Sequence, residues 1–373
     1  MLPDDLVRHG QHVMTVCNAC RYCEGYCPVF QAMEDRPTFA KGDLAYLANL
    51  CHNCGECLYA CQYAPPHEFG INVPRTLAVV RLASYEESCW PSVMRGAFTR
   101  QPALAAATLV VGFAVVSAAA ALAGDPAGGD FYQVVPHHVM VAIFSAVALF
   151  TVAAIVVARV RFAARLGPAA ARNVHATGQL LTGQDTPVRA AGVALGDALT
   201  LRHLHGAGED CTDAEESRGP WRRRFHHCTF YGFALCFAST TVAAAYHLIF
   251  GWRAPYAYTS LPVALGTIGG IGLLVGPAGL FAMRGSRDPA LGDPAQRGLE
   301  ISFIAMLFLT SATGLLLLML RGSAAMPALL VGHLAFVLAL FLMLPYGKFV
   351  HGIHRMTALV TFAKERQAAP GHR

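Results

Sequence analysis

Residues 301–320 read ISFIAMLFLTSATGLLLLML, twenty positions without a charge, bracketed by Glu300 and Arg321. As an α-helix rising about 1.5 Å per residue, this stretch is about 30 Å long, the thickness of a bilayer's hydrocarbon core. Five further charge-free windows of at least this length flank it: Gln101–Gly124, Phe131–Ala158, Phe225–Trp252, Ala254–Met283 and Gly322–Gly347. Six such windows predict six transmembrane helices, whereas buried helices of a soluble enzyme would rarely produce even one. The composition agrees. Of 373 residues, 55% are apolar and 14% charged, against about 25% charged in a typical soluble protein, and the mean hydropathy is +0.43. A purely soluble protein is excluded. The glycine-rich run from Gly266 to Gly279 leaves two readings open, a closely packed helix or a broken one.

The charges at the window ends set the orientation. Ten arginines, Arg159 to Arg224, lie between the second and third windows; Arg284, Arg287 and Arg297 lie between the fourth and fifth; Lys348, Arg355, Lys364 and Arg366 follow the sixth. The opposite connections hold only Arg253 and Arg321. By the positive-inside rule both termini of this multi-pass chain are expected in the cytoplasm. The opening MLPDDLVRHG lacks the apolar run of a signal peptide or anchor. The net charge of +5 is thus a matter of topology, with lipid rather than nucleic acid as the partner. The expected organisation is a cytoplasmic domain over 1–95, helices one and two over 96–160, a cytoplasmic loop over 161–224, helices three to six over 225–355 and a cytoplasmic tail over 356–373. Within the loop, Val188 to Leu204 has helical spacing, with Val193, Leu195, Leu199 and Leu201 as its apolar positions. It reads either as a docking surface for the N-terminal domain or, preferably, as a surface helix over the cytoplasmic mouth of the bundle.

Eight of twelve cysteines fall in two runs, CNACRYCEGYCP at 17–28 and CHNCGECLYACQ at 51–62. Each is C-x2-C-x2-C-x3-C, the spacing of two-cluster bacterial ferredoxins, in which three close thiolates hold one cubane and the fourth reaches the other. One [4Fe-4S] cluster is expected on Cys17, Cys20, Cys23 and Cys61, the second on Cys51, Cys54, Cys57 and Cys27. Zinc ribbons also use C-x2-C pairs, but they leave the third cysteine of each run unexplained. The cytoplasm keeps thiols reduced, so metal ligation is favoured over disulfides. The second run ends in Gln62 where the first has Pro28, a departure that removes no ligand. Cys89, Cys211, Cys228 and Cys236 have no such spacing; the two in the third helix read as packing residues.

Ionisable groups inside a membrane are costly, so histidines in these helices are candidate ligands. Facing helices commonly hold haem b through two axial imidazoles. His333 and His351 are 18 residues apart, five whole turns; His226 and His247 are 21 apart, within about 60° of each other. One or two haems are expected on His226, His247, His333 and His351. His226 and His351 lie at matching depth, whereas His247 and His333 differ by about 9 Å, and His137 or His138 would serve as substitutes. Some of these histidines also read as interfacial residues bonded to loops or headgroups. A kink at Pro345 would alter the face shared by His333 and His351.

These features together resemble the tricarballylate/citrate utilisation protein B family, on the paired cysteine runs, HHCTFYGFALCFASTT at 226–241, SLPVALGTIGGIGLLVGPAGL at 260–280 and LPYGKFVHGIHR at 344–355. The membrane part is similar to nitrate reductase gamma-type cytochrome b subunits. The resemblance implies an α-helical integral membrane protein: a six-helix bundle with an N-terminal cytoplasmic two-[4Fe-4S] ferredoxin-like domain. It further implies reoxidation of a soluble, FAD-dependent tricarballylate dehydrogenase and transfer of its electrons through the clusters and haem b to quinone. No G-x-G-x-x-G fingerprint marks a flavin domain of the chain's own. Other readings are a membrane subunit for a cobalamin-ring-synthesis flavoprotein or of heterodisulfide-reductase type, and a redox-gated transporter or sensor, for which the glycine-rich helix is the support.

Overall fold

In hydrocarbon a backbone N–H or C=O has no water to bond, so a crossing segment must satisfy its own polar groups as a helix. The computed structural model describes residues 2–124, 130–176, 187–204 and 221–368. Among these the chain forms fourteen α-helices, three short 3-10 turns and no β-strand. The N-terminal part contains α1 (Asp4–Cys20), α2 (Pro28–Glu34), α3 (Lys41–Leu50), α4 (Glu56–Tyr59) and α5 (Val73–Ser88). Then follow α6 (Gln101–Ala123), α7 (Phe131–Val134), α8 (His137–Ala176), α9 (Pro187–Thr200), α10 (Trp221–Phe250), α11 (Leu261–Ala282), α12 (Gln296–Leu320), α13 (Met326–Met343) and α14 (Val350–Ala368).

Six of these helices, α6, α8, α10, α11, α12 and α13, are long and apolar enough to cross a membrane. They pack in the series α10, α11, α12, α13, α6, with α8 against α13. Their outward faces carry large apolar side chains, among them Val110, Leu149, Val152, Phe230, Phe237 and Leu248. Phe230, Phe237 and Leu248 follow a 3.6-residue repeat along α10, a stripe suited to lipid.

The glycine-rich segment is a closely packed helix. α11 runs unbroken through Gly266 to Gly279, with Pro277 inside it, and lies along α10 at near backbone contact. A Cβ on Gly269 would stand 2.8 Å from the Cys236 nitrogen, and one on Gly232 would stand 2.9 Å from the Gly269 oxygen. Backbone cannot yield as a flexible side chain does, so Gly269→Ala is expected to overpack the pair, at about 1–3 kcal/mol, and to lower the melting temperature in detergent. Gly192→Ala, where a Cβ meets nothing within 4 Å, is expected to leave it unchanged or raise it.

The sixth crossing helix ends earlier than a kinked helix would. α13 stops at Met343, a 3-10 turn spans Leu344–Tyr346, and α14 begins anew at Val350. Pro345 lacks an N–H and lies inside that turn, so the spacing of His333 and His351 does not place them on one face. Beyond residue 355 the chain continues as α14 instead of trailing off, and this helix enters the core of the N-terminal part. Ala358 and Leu359 of α14, Phe162 and Leu166 of α8 and Ala194 of α9 pack in one cluster with Met14, Met33, Leu44, Leu47 and Leu77. The N-terminal helices and one end of the bundle therefore share a single core.

α9 docks on this assembly along α14. Its inward face differs from the apolar face read in the sequence. Ala190 and Ala194 are buried and Ala198 is packed against the core, whereas Val193 and Leu195 are each 48% exposed. Alanines at i, i+4 and i+8 let the helix approach closely, which bulkier residues on that face would prevent. The helix thus packs on the core that the N-terminal domain shares with the end of the bundle, and Arg223 and Tyr231 of α10 donate to its Thr200 and Leu199 carbonyls.

Arg36 ties α14 in place. It is 4% exposed and donates to Asp43 at 3.0 Å and to Glu365 of α14 at 2.6 Å, while the Tyr46 hydroxyl donates to Glu365 at 2.8 Å. Arg36→Ala would leave two buried carboxylates without their cation. Breaking a buried pair in this way costs about 3–5 kcal/mol. The expected result is release of α14, read as faster proteolysis after residue 355.

Candidate functional site

The chain's local geometry gathers the motif thiols. α1 ends with Cys17 and Cys20 in its last turn, and Arg21, at φ 55°, reverses the chain toward Cys23. Cys27 precedes α2, whose first residue is Pro28, a position where the missing N–H is no loss. Cys51 caps α3, Asn53 (φ 55°) and Gly55 (φ 100°) turn the chain around Cys54, and α4 carries Cys57 with Cys61 just beyond it. A glycine suits position 55 because its φ lies where side chains are strained.

Two cavities result. One, of about 270 Å³, is lined by Cys17, Cys20, Cys23, Cys57 and Cys61; the other, tighter, is lined by Cys27, Cys51, Cys54 and Cys57. Cys61 therefore sits with the first run and Cys27 with the second. Burial, together with the neighbouring Cys61, Cys23 and Cys20, pushes the Cys17 thiol up to about 12. Burial likewise raises Cys27, aided by Cys51 and Cys54. Such crowded thiolates need a cationic centre among them. Four or more thiols around each cavity wall fit a polynuclear iron–sulfur centre. Gln62, the residue that departs from the expected Pro, donates toward Cys20 Sγ at 3.9 Å.

The second turn is held by arginines. Arg81 donates to the carbonyls of Ala48 and Cys51, both at 2.7 Å. Arg355 donates to Leu50 at 2.8 Å and Cys51 at 3.3 Å, and Arg222 to His52 at 3.0 Å and Asn53 at 3.2 Å. Burial, followed by Arg81, lowers the Arg355 guanidinium to about 9.

Beside this turn, His226 of α10 and His351 of α14 face each other with ring centroids 6.1 Å apart and planes at 76°. Two imidazoles sharing one metal have that spacing, about 6 Å for metal–nitrogen bonds of about 2 Å. The Lys348 carbonyl accepts from His351 Nδ1, which leaves the Nε2 lone pair for a metal. Burial, then Lys348, holds His351 down at about 3, so it is neutral, as a ligand must be. His226 Nδ1 is buried with no hydrogen-bond partner. These two residues fit an axial pair for haem b.

The structure does not bring His247 and His333 together. His247 stacks on His137 with centroids 3.7 Å apart at 22°, and Tyr132 meets both rings edge-on. Stacked rings at that distance leave no room for an iron between them. His333 bonds Thr313 at 3.2 Å and lies over Gly314, where an added Cβ would stand 2.8 Å from its ring. The residues present do not fit a second haem on His247 and His333. His354 has both ring nitrogens engaged, with Ser88 at 2.8 Å and the Val350 carbonyl at 3.2 Å, and burial lowers it to about 3. Cys89 is buried, Cys228 is half-buried on α10, Cys236 packs against α11 at Gly269, and Cys211 lies outside the described residues.

Residues 94–371 match the family model for citrate utilization protein B, and residues 10–87 match that for the citrate utilization protein B Fer4-like domain. An Escherichia coli protein described as citrate utilization protein B is 45% identical over 365 residues, 96% of this chain and 92% of the relative. The chain belongs to the citrate utilization protein B family. No solved structure matches it. The Fer4-like domain of the citrate utilization protein B family contains both cysteine runs here, and the longer family model covers all six apolar helices and α14. The boundary between the two models, 88–93, falls just past α5. Sequence reasoning missed the three arginines that reach the Cys51 turn. Their one signal was position, since Arg222 and Arg355 each lie four residues from a candidate histidine.

Proposed function

We propose that this citrate utilization protein B family member is a membrane electron carrier. It takes electrons from a soluble, cytoplasmic FAD-dependent dehydrogenase acting on tricarballylate or a related tricarboxylate, and delivers them to quinone in the bacterial inner membrane. The observation that carries this reading is the placement of two thiol-lined cavities and the His226–His351 pair at one end of the same bundle. When bound, two [4Fe-4S] clusters and haem b supply one-electron carriers between a two-electron flavin and a two-electron quinone.

The chain's own residues do the rest. Eight cysteines bind, and the Cys51 turn is fixed by guanidinium bonds to its carbonyls. His226 and His351 face each other with ring centroids 6.1 Å apart. The arginines at 159–165, 222–224, 284–287 and 355 lie at the helix ends that adjoin the cysteine domain, where Arg161 and Arg165 donate to Cys89 and Glu87 carbonyls. With the positive-inside rule, that common end is the cytoplasmic one. A transporter reading loses its support, since the glycine-rich helix is an unbroken packing element.

The test is reconstitution of the purified protein in quinone-containing liposomes with a reduced, soluble FAD-dependent tricarballylate dehydrogenase. Flavin reoxidation that requires both this protein and quinone is expected. Reoxidation at the same rate without this protein would refute the proposal.

A further inference from the structure

The two thiol groups differ in surroundings. The group of Cys17, Cys20, Cys23 and Cys61 is bordered by exposed Arg21, Glu24 and Gln62, with Tyr22 61% exposed. In the other group Cys51, Asn53 and Gly55 are buried. This second turn alone receives Arg222 and Arg355, each one helical turn from a facing histidine: Arg222 and His226 on α10, His351 and Arg355 on α14. Residues i and i+4 lie about 40° apart around a helix and about 6 Å along it, so fixing the arginine also fixes the histidine's segment. Each guanidinium forks onto two successive carbonyls, Leu50 and Cys51 for Arg355, His52 and Asn53 for Arg222. A planar fork on two acceptors sets orientation as well as distance, which an ammonium does not.

We propose that Arg222 and Arg355 are positioning residues that lock the Cys51–Cys54 turn to the two histidine-bearing segments, so that electrons leave for the membrane through the cluster held by Cys27, Cys51, Cys54 and Cys57. This rests on the electron-carrier reading above and assigns the order within it. Cys17, Cys20, Cys23 and Cys61 would hold the cluster that takes one electron at a time from the partner's reduced flavin, and Cys27, Cys51, Cys54 and Cys57 the one that would pass it toward His226 and His351. Two such passages would oxidise one flavin, releasing its protons to solvent, and reduce one quinone, which would take up two protons. The guanidiniums also place positive charge beside an anionic thiolate-ligated cluster, which favours its reduced, more negative state.

The experiment uses the full chain in detergent under anaerobic conditions, with electron paramagnetic resonance redox titration of both clusters and stopped-flow optical recording of haem reduction. The signal missing in Cys54→Ser identifies the inner cluster. In Arg222→Gln and Arg355→Gln that signal is expected to titrate at a more negative potential while the other stays put, and haem reduction is expected to slow. Arg355→Lys restores the charge but not the fork, so the potential is expected to recover and the slow transfer to persist. If a glutamine variant loses cofactor, Arg222→Lys serves for the rate comparison, with slow haem reduction expected and wild-type speed contradicting the clamp. An unmoved inner signal with wild-type haem reduction overturns the proposal, as does a shift of the outer signal alone. Absence of two cluster signals in the unaltered protein would instead refute the underlying electron-carrier reading.

Discussion

Cys54→Ser is expected to lower the non-haem iron of the purified protein from about eight per chain to about four, with flavin reoxidation falling to the background rate. Cys54 lines only the tighter cavity, with Cys27, Cys51 and Cys57. Its loss leaves three thiolates for four irons. Cys17, Cys20, Cys23 and Cys61 remain, so the outward-facing cluster should persist. Cys20→Ser is expected to do the reverse, at equal cost to turnover, because carriers in series fail if either one is missing. Metal-binding energy is also folding energy, and Cys51 belongs to the same core as α14 and α8. The inner-cluster variant should therefore melt at a lower temperature than the outer-cluster one. Iron assay and spin quantification on the same samples check both statements. Full turnover in either variant would contradict a serial relay.

His351→Ala is expected to abolish the haem b absorbance while leaving both clusters in place. His226 alone lacks the opposing imidazole 6.1 Å away. The bond from His351 Nδ1 to the Lys348 carbonyl presents the other nitrogen, which no alanine replaces. The neighbouring His354→Ala serves as a contrast. His354 is fully buried and bonded on both nitrogens, and its ring packs against Tyr85 and Phe162, so its removal should leave a cavity and lower stability and spare the spectrum of what folds. The pyridine haemochrome assay distinguishes the two. A wild-type haem content in His351→Ala would mean that the axial pair lies elsewhere.

The six long apolar helices were legible because the hydrocarbon imposes one solution on any long charge-free window. The cysteine sets were legible because cluster ligation imposes a fixed spacing. Other features depend on contacts between distant segments. Glu365 gives no local sign that it will meet Arg36, 329 positions away, so α14 read as a tail. α9 buries alanines at 190, 194 and 198, which carry a weaker hydropathy signal than the exposed Val193 and Leu195. The face that His333 and His351 were expected to share is lost where the turn at Leu344–Tyr346 divides the helix at Pro345, and His247 stacks on His137, named only as a substitute, instead of facing His333. Depth was the sounder guide, since it matched His226 with His351 and set His247 and His333 apart.

The central claim, that iron–sulfur and haem centres coexist in one membrane relay, is tested most directly by a dithionite-reduced minus oxidised optical spectrum of the anaerobically purified protein, with iron and haem quantified on the same sample. Haem b bands from one haem, together with about eight non-haem irons per chain, are the expected result. A protein with its full complement of iron and no haem would contradict it, and would leave the His226–His351 pair facing each other for some purpose other than holding a haem iron.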